Sequence, residues 1–110
     1  MIRMFAVLVL SALSTVAHAQ AWHFTRSLNL VNSSHATVAA FFAARAGDDR
    51  WQADLLGGRG LRTNFYAQLD LDAPAGACRY DFKAVFSDGT STVRRNVDVC
   101  TSQTYTLTDR

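Results

Sequence analysis

The chain has 110 residues, with eleven Lys and Arg against nine Asp, no Glu, and a formal charge of +2. That length supports one domain with a modest core. Near-neutrality excludes the broad cationic surface that nucleic acid or an anionic membrane selects.

Residues 1–19 hold Arg3, an apolar run from Phe5 to Leu13 broken only by Ser11, and Ala17-His18-Ala19 before Gln20. This order predicts a secretory signal peptide cut after residue 19, with a cut after Ala21 as the alternative, and an apolar core too short for a stable membrane span. No cysteine stands at the cut, so no lipid anchor is expected there. The domain organisation read from this is a signal peptide at 1–19 and a single exported β-domain at 20–110, secreted or periplasmic. Losing Arg3 leaves ten basic side chains against nine acidic ones.

Trp22, Phe24, Leu28 and Leu30 share one parity and predict a first strand, which Asn32-Ser33-Ser34-His35 turns. Ala36 to Arg45 is apolar on both faces. Its β-branched and aromatic residues and its flanking turns favour a strand over a short buried helix. Asp49 followed by Gln52 resembles a capping box, and Trp51 and Leu55 are four apart, so one or two helical turns or a tight loop are expected to pin both into the core. From Thr63 to Leu71, Thr63, Phe65, Ala67, Leu69 and Leu71 point one way and Asn64, Tyr66, Gln68 and Asp70 the other. A turn at Ala73-Pro74-Ala75-Gly76 follows.

Cys78, Tyr80, Phe82, Ala84 and Phe86 then alternate with Arg79, Asp81 and Lys83, and Ser87-Asp88-Gly89-Thr90 provides a hairpin turn. A two-residue loop at Asp88-Gly89 would pair positions summing to 177. That register faces Cys78 with Val99, so a bulge in the returning strand is expected to bring Cys100 level. Export places both cysteines in an oxidising compartment, which predicts a Cys78–Cys100 disulfide over a metal pair or a nucleophile. Gln103 to Thr108 alternates weakly as a last strand. About six strands with one short helical turn predict an all-β fold, a small antiparallel β-sandwich or barrel with one disulfide.

Val31-Asn32, Trp51-Gln52-Ala53-Asp54-Leu55-Leu56, Cys78-Arg79-Tyr80-Asp81-Phe82, Phe86-Ser87-Asp88-Gly89 and Asn96-Val97-Asp98-Val99-Cys100 together resemble a family of small exported bacterial β-domains of uncharacterised function. The likeness runs from about Leu28 to Leu107. It implies an exported β-domain with one disulfide, and no activity or catalytic residue. Gln52 departs from it, since the resemblance leads one to expect glycine there.

A catalytic reading would draw on Asp54, Asp81 or Asp88, as a hydrolase with paired carboxylates. Asp88 reads better as a turn residue, Asp81 as a solvated strand residue, and Asp54 as a local backbone acceptor. His23 and His35 lack ligand spacing for zinc, Asp48, Asp49 and Asp54 lack the calcium-loop pattern, and Gly57-Gly58-Arg59-Gly60 lacks the lysine and hydroxyl of a phosphate loop. No cofactor or metal is expected. Adjacent Arg94 and Arg95 must point to opposite faces, and one of them could lie against Tyr80 or Asp81. With Tyr66 they form the candidate partner surface. The function expected is a non-enzymatic binding or structural module for an unknown protein or envelope component, with a hydrolase inhibitor as the alternative and a carboxylate hydrolase as the third reading.

Overall fold

The structure is a computed structural model and describes residues 24–109. The signal peptide assigned to residues 1–19, and Trp22 and His23, lie outside the described residues.

Among the described residues six strands form: β1 (Thr25–Asn32), β2 (Val38–Arg45), β3 (Tyr66–Asp72), β4 (Arg79–Phe86), β5 (Ser91–Asp98) and β6 (Thr104–Leu107). They make two three-stranded sheets, ordered β3-β1-β6 and β2-β4-β5. Only β4 to β5 is a hairpin within one sheet. Every other connection between consecutive strands crosses to the opposite sheet, and these crossings enclose the core.

Alternation explains which faces meet. Leu28, Leu30, Leu69, Leu71 and Leu107 from the first sheet and Phe41, Ala43, Tyr80, Phe82, Ala84 and Phe86 from the second are buried in one cluster. Burying each large side chain contributes about 1.5–3 kcal/mol. The Phe82 ring lies 5.2 Å from Phe41 and 5.0 Å from Tyr105 of the other sheet, so aromatic contacts join the layers.

Three pairings are antiparallel, and β6 pairs with β1 in parallel, Leu30 opposite Tyr105 and Asn32 opposite Leu107. After β5 the chain turns through residues 99–103 and crosses to the other sheet, so it meets β1 running in the same direction. The predicted all-β sandwich stands, with this one parallel edge.

Several local expectations are corrected. The strand at 63–71 begins only at Tyr66, because Asn64 takes a left-handed φ of 68°. Thr63 therefore precedes the strand, and Phe65 is exposed. At residues 49–57 the tight loop, and not the helical turns, is the form present of the two expected. The segment is a loop in which Leu56 is buried and Trp51 and Leu55 are half-buried. Among the described residues the one helical turn is a 3-10 turn at Pro74–Gly76.

The hairpin loop holds three residues. Phe86 N–H donates to the Thr90 carbonyl, Gly89 N–H donates to the Phe86 carbonyl, and Gly89 has φ 86°. Such a loop ends on a left-handed residue, which glycine adopts without a Cβ clash. The register beside it pairs Ala84 with Thr92 and then shifts between Tyr80 and Phe82. The expected bulge in β5 is therefore present, but it does not bring Cys100 level with Cys78. Val99 N–H still donates to the Cys78 carbonyl at 2.8 Å. Cys100 reaches Cys78 because the chain turns beyond β5, its N–H held by Asp98 Oδ1 at 2.9 Å.

Candidate functional site

Asp54 sits beside the outer margin of β2. Its Oδ1 accepts the N–H groups of Phe41 at 2.9 Å and Leu56 at 3.0 Å, and Oδ2 accepts that of Gly58 at 3.0 Å. On either side, Gln52 N–H donates to the Ala43 carbonyl, Leu55 N–H to the Phe41 carbonyl, and Val38 and Leu61 exchange both backbone bonds. The 52–61 loop thus supplies an irregular ladder where a neighbouring strand would be, and the Asp54 carboxylate takes the place of one backbone carbonyl. Burial pushes the Asp54 carboxyl up, but the three N–H donors outweigh it and hold it below the ordinary carboxylate range.

Asp81 corrects its sequence reading: it is buried, not solvated. The β5 bulge wraps it, with Asn96 N–H donating to Oδ1 at 2.9 Å and the Arg95 guanidinium to Oδ2 at 3.1 Å. Asn96 takes φ 59° to make this contact. Asp88 caps the hairpin, accepting the Thr90 N–H at 3.0 Å and the Thr90 hydroxyl at 2.6 Å. Each of the three candidate carboxylates is thus engaged by backbone N–H groups at a different element.

Cys78 and Cys100 are joined, with Cα atoms 5.2 Å apart. Among the described residues one group of three potential metal ligands converges, Cys78, Asp98 and Cys100, within 4.8 Å. Sulfurs bonded to each other offer no thiolate to a cation.

The predicted partner surface is divided. Tyr66 is exposed on β3, a margin of the first sheet, whereas Arg94 and Arg95 are on β5, a margin of the second. Arg95 pairs with Asp81, one of the two partners expected for it. Arg94 lies opposite Phe82 on the core-facing row yet is exposed, because β5 is the last strand of its sheet. Its charge opposes the burial that raises the Tyr105 phenol above its ordinary value.

A second centre escaped the sequence reading. Asn32 is fully buried, its Nδ2 donating to the Ala36 and Leu61 carbonyls at 2.9 Å each, its Oδ1 accepting from Ser34 N–H and Oγ. It fastens the β1–β2 turn to the loop covering β2. The signal available was its place at the end of an inward-facing row, after Leu28 and Leu30.

The end of the sandwich bearing the disulfide carries two open grooves. One, of 910 Å³, is lined by Arg45, the 46–50 turn and Ala77-Cys78-Arg79. The other, of 450 Å³, is lined by Arg45, Asp48, Arg50, Trp51, Gln52, Asp72 and Pro74. Beneath them the Tyr80 hydroxyl donates to the Asp72 carbonyl at 2.5 Å. Burial raises the Tyr80 phenol, and Arg26 and Arg45 oppose the rise. Arg26 itself is bound to the Ala77 and Gly76 carbonyls at 2.9 and 3.1 Å. Among the described residues no helix is long and apolar enough to cross a membrane.

Against known proteins, no family model, no curated protein and no solved structure matches the chain.

Proposed function

We propose that the protein is a non-enzymatic binding or bracing module that acts outside the cytoplasm, secreted or periplasmic, on a protein or envelope component. The observation that carries the reading is the engagement of Asp54, Asp81 and Asp88 by backbone N–H groups of separate elements. A catalytic carboxylate needs an oxygen free to take or give a proton. The disulfide and the leader-like pattern at 1–19 support the compartment, since paired cysteines persist where the surroundings are oxidising. Exposed Tyr66, Arg94 and Val93 on sheet margins support contact with a partner.

The test is a turnover assay of the purified, oxidised protein on peptide, ester and cell-wall glycan substrates. No turnover is expected. Hydrolysis that disappears in Asp54→Asn or Asp81→Asn would overturn the reading, provided the variant keeps the wild-type circular dichroism. Lysozymes and proteases assayed alongside with the protein as inhibitor separate the inhibitor role from the other binding roles.

A further inference from the structure

The two grooves at the disulfide end share Arg45, Asp48 and Arg50, so they adjoin, and the one that Trp51 lines is a trough beside the end of β2. Arg45 and Arg50 are exposed, and among the described residues neither has a carboxylate within ion-pair distance, whereas Arg79 has Asp98 at 3.8 Å and Arg95 has Asp81. Guanidinium groups left without a carboxylate offer a planar pair of donors to one from outside. Beside them Trp51 is half-buried, its neighbour Gln52 held by a backbone bond to Ala43, and Gln52, Asp72 and Pro74 line the same groove.

These features restrict the ligand. The trough is open and polar, so an apolar ligand would leave most of its own surface in water. A sugar ring suits it better, with a C–H face for the indole and hydroxyls that donate to Asp72 and exchange bonds with Gln52. The arginines, with no ion-pair partner of their own among the described residues, add donors for a carboxylate on that sugar, while Asp48 in the same lining is engaged by the Arg50 N–H at 3.1 Å. We propose that this trough binds a carboxylate-bearing saccharide, with Trp51 under the ring, Gln52 and Asp72 on its hydroxyls, and Arg45 and Arg50 on its carboxylate. This names a ligand class for the binding reading above and rests on it.

The experiment is a fluorescence titration of the oxidised 20–110 chain carrying Trp22→Phe, which leaves Trp51 as its one tryptophan. The probes are a uronic-acid tetrasaccharide, its carboxyl-reduced neutral counterpart, and an acidic tetrapeptide. A saturable change with the uronate is expected, at least about tenfold tighter than with the neutral sugar. Arg45→Gln and Arg50→Gln should each weaken it about tenfold, while Arg59→Gln, exposed and lining neither groove, leaves it unchanged. Both arginines are exposed, so the variants keep the fold, which circular dichroism verifies. No saturation by about 10 mM uronate, equal binding of the neutral sugar, or equal binding of the peptide would each overturn the proposal. None of these results touches the non-enzymatic reading, which only turnover overturns.

Discussion

A carboxylate that receives three backbone N–H groups stabilises the fold only while it is ionised. Asp54 is such a group, with its carboxyl held below the ordinary range. Its stabilisation is present above the unfolded value near pH 4 and is lost as the pH falls through the lower folded value. Asp54→Asn sets amide hydrogens against some of those N–H groups, and urea denaturation at pH 7 should show a loss of about 2 kcal/mol. The gap to wild type should close as the pH falls below about 4. Tyr105 behaves in the opposite sense. Its phenol is raised by burial, so the folded state keeps the proton when the unfolded chain releases it, and stability falls as the pH rises past about 10. Tyr105→Phe should flatten that alkaline fall, measured as melting temperature between pH 8 and 11.

The β5 bulge shows what alternation can and cannot reveal about an element. Strand positions were legible wherever polar and apolar residues alternated, as at Leu28 and Leu30, Leu69 and Leu71, or Tyr80, Phe82, Ala84 and Phe86. Asp81 obeys the same parity as Arg79 and Lys83, so the pattern alone placed it in water. Its burial depends on an extra residue in the partner strand, which no single-strand pattern contains. The Asp54 clasp was partly legible as a local acceptor near Leu55 and Leu56. Its contact with Phe41, thirteen residues away, was not. The capping-box resemblance at Asp49 misled because Asp48, not Asp49, accepts the neighbouring N–H, from Arg50 at 3.1 Å, and no helix follows to be capped. For the bulge itself, Asn96→Gly should change stability by less than about 1 kcal/mol, since glycine takes positive φ freely. Asn96→Val should cost about 1–3 kcal/mol, because a β-branched residue resists φ of 59°. Chemical denaturation of the pair decides it, and equal stabilities would count against the strained-bulge account.

Over the whole molecule, the disulfide ties the start of β4 to the turn beyond β5, closing a loop with a sequence separation of 22. Chain-entropy estimates give about 3.4 kcal/mol for such a loop, a large share of the roughly 5–10 kcal/mol expected of a domain this small. The Cys78→Ala, Cys100→Ala double variant should melt at least about 10 °C lower than the oxidised protein in calorimetry. An unchanged melting temperature would show that the packed sheets suffice. Cys78 lines the groove that adjoins the trough and shares Arg45 and Arg50 with it, so the double variant should also lose ligand affinity in the titration described above.

The parallel seat of β6 governs when the domain can be completed. β1 occupies the middle of its sheet, and its Asn29 N–H and the following Ser33 N–H donate to the carbonyls of Gln103 and Leu107. A nascent chain that has emerged only as far as β5 leaves that side of β1 to water, and Leu107 is missing from the core. The first sheet is therefore whole only once residues 104–107 are seated on β1, so a chain cut short at residue 103 should lose both that rung of hydrogen bonds and the apolar plug that Leu107 supplies.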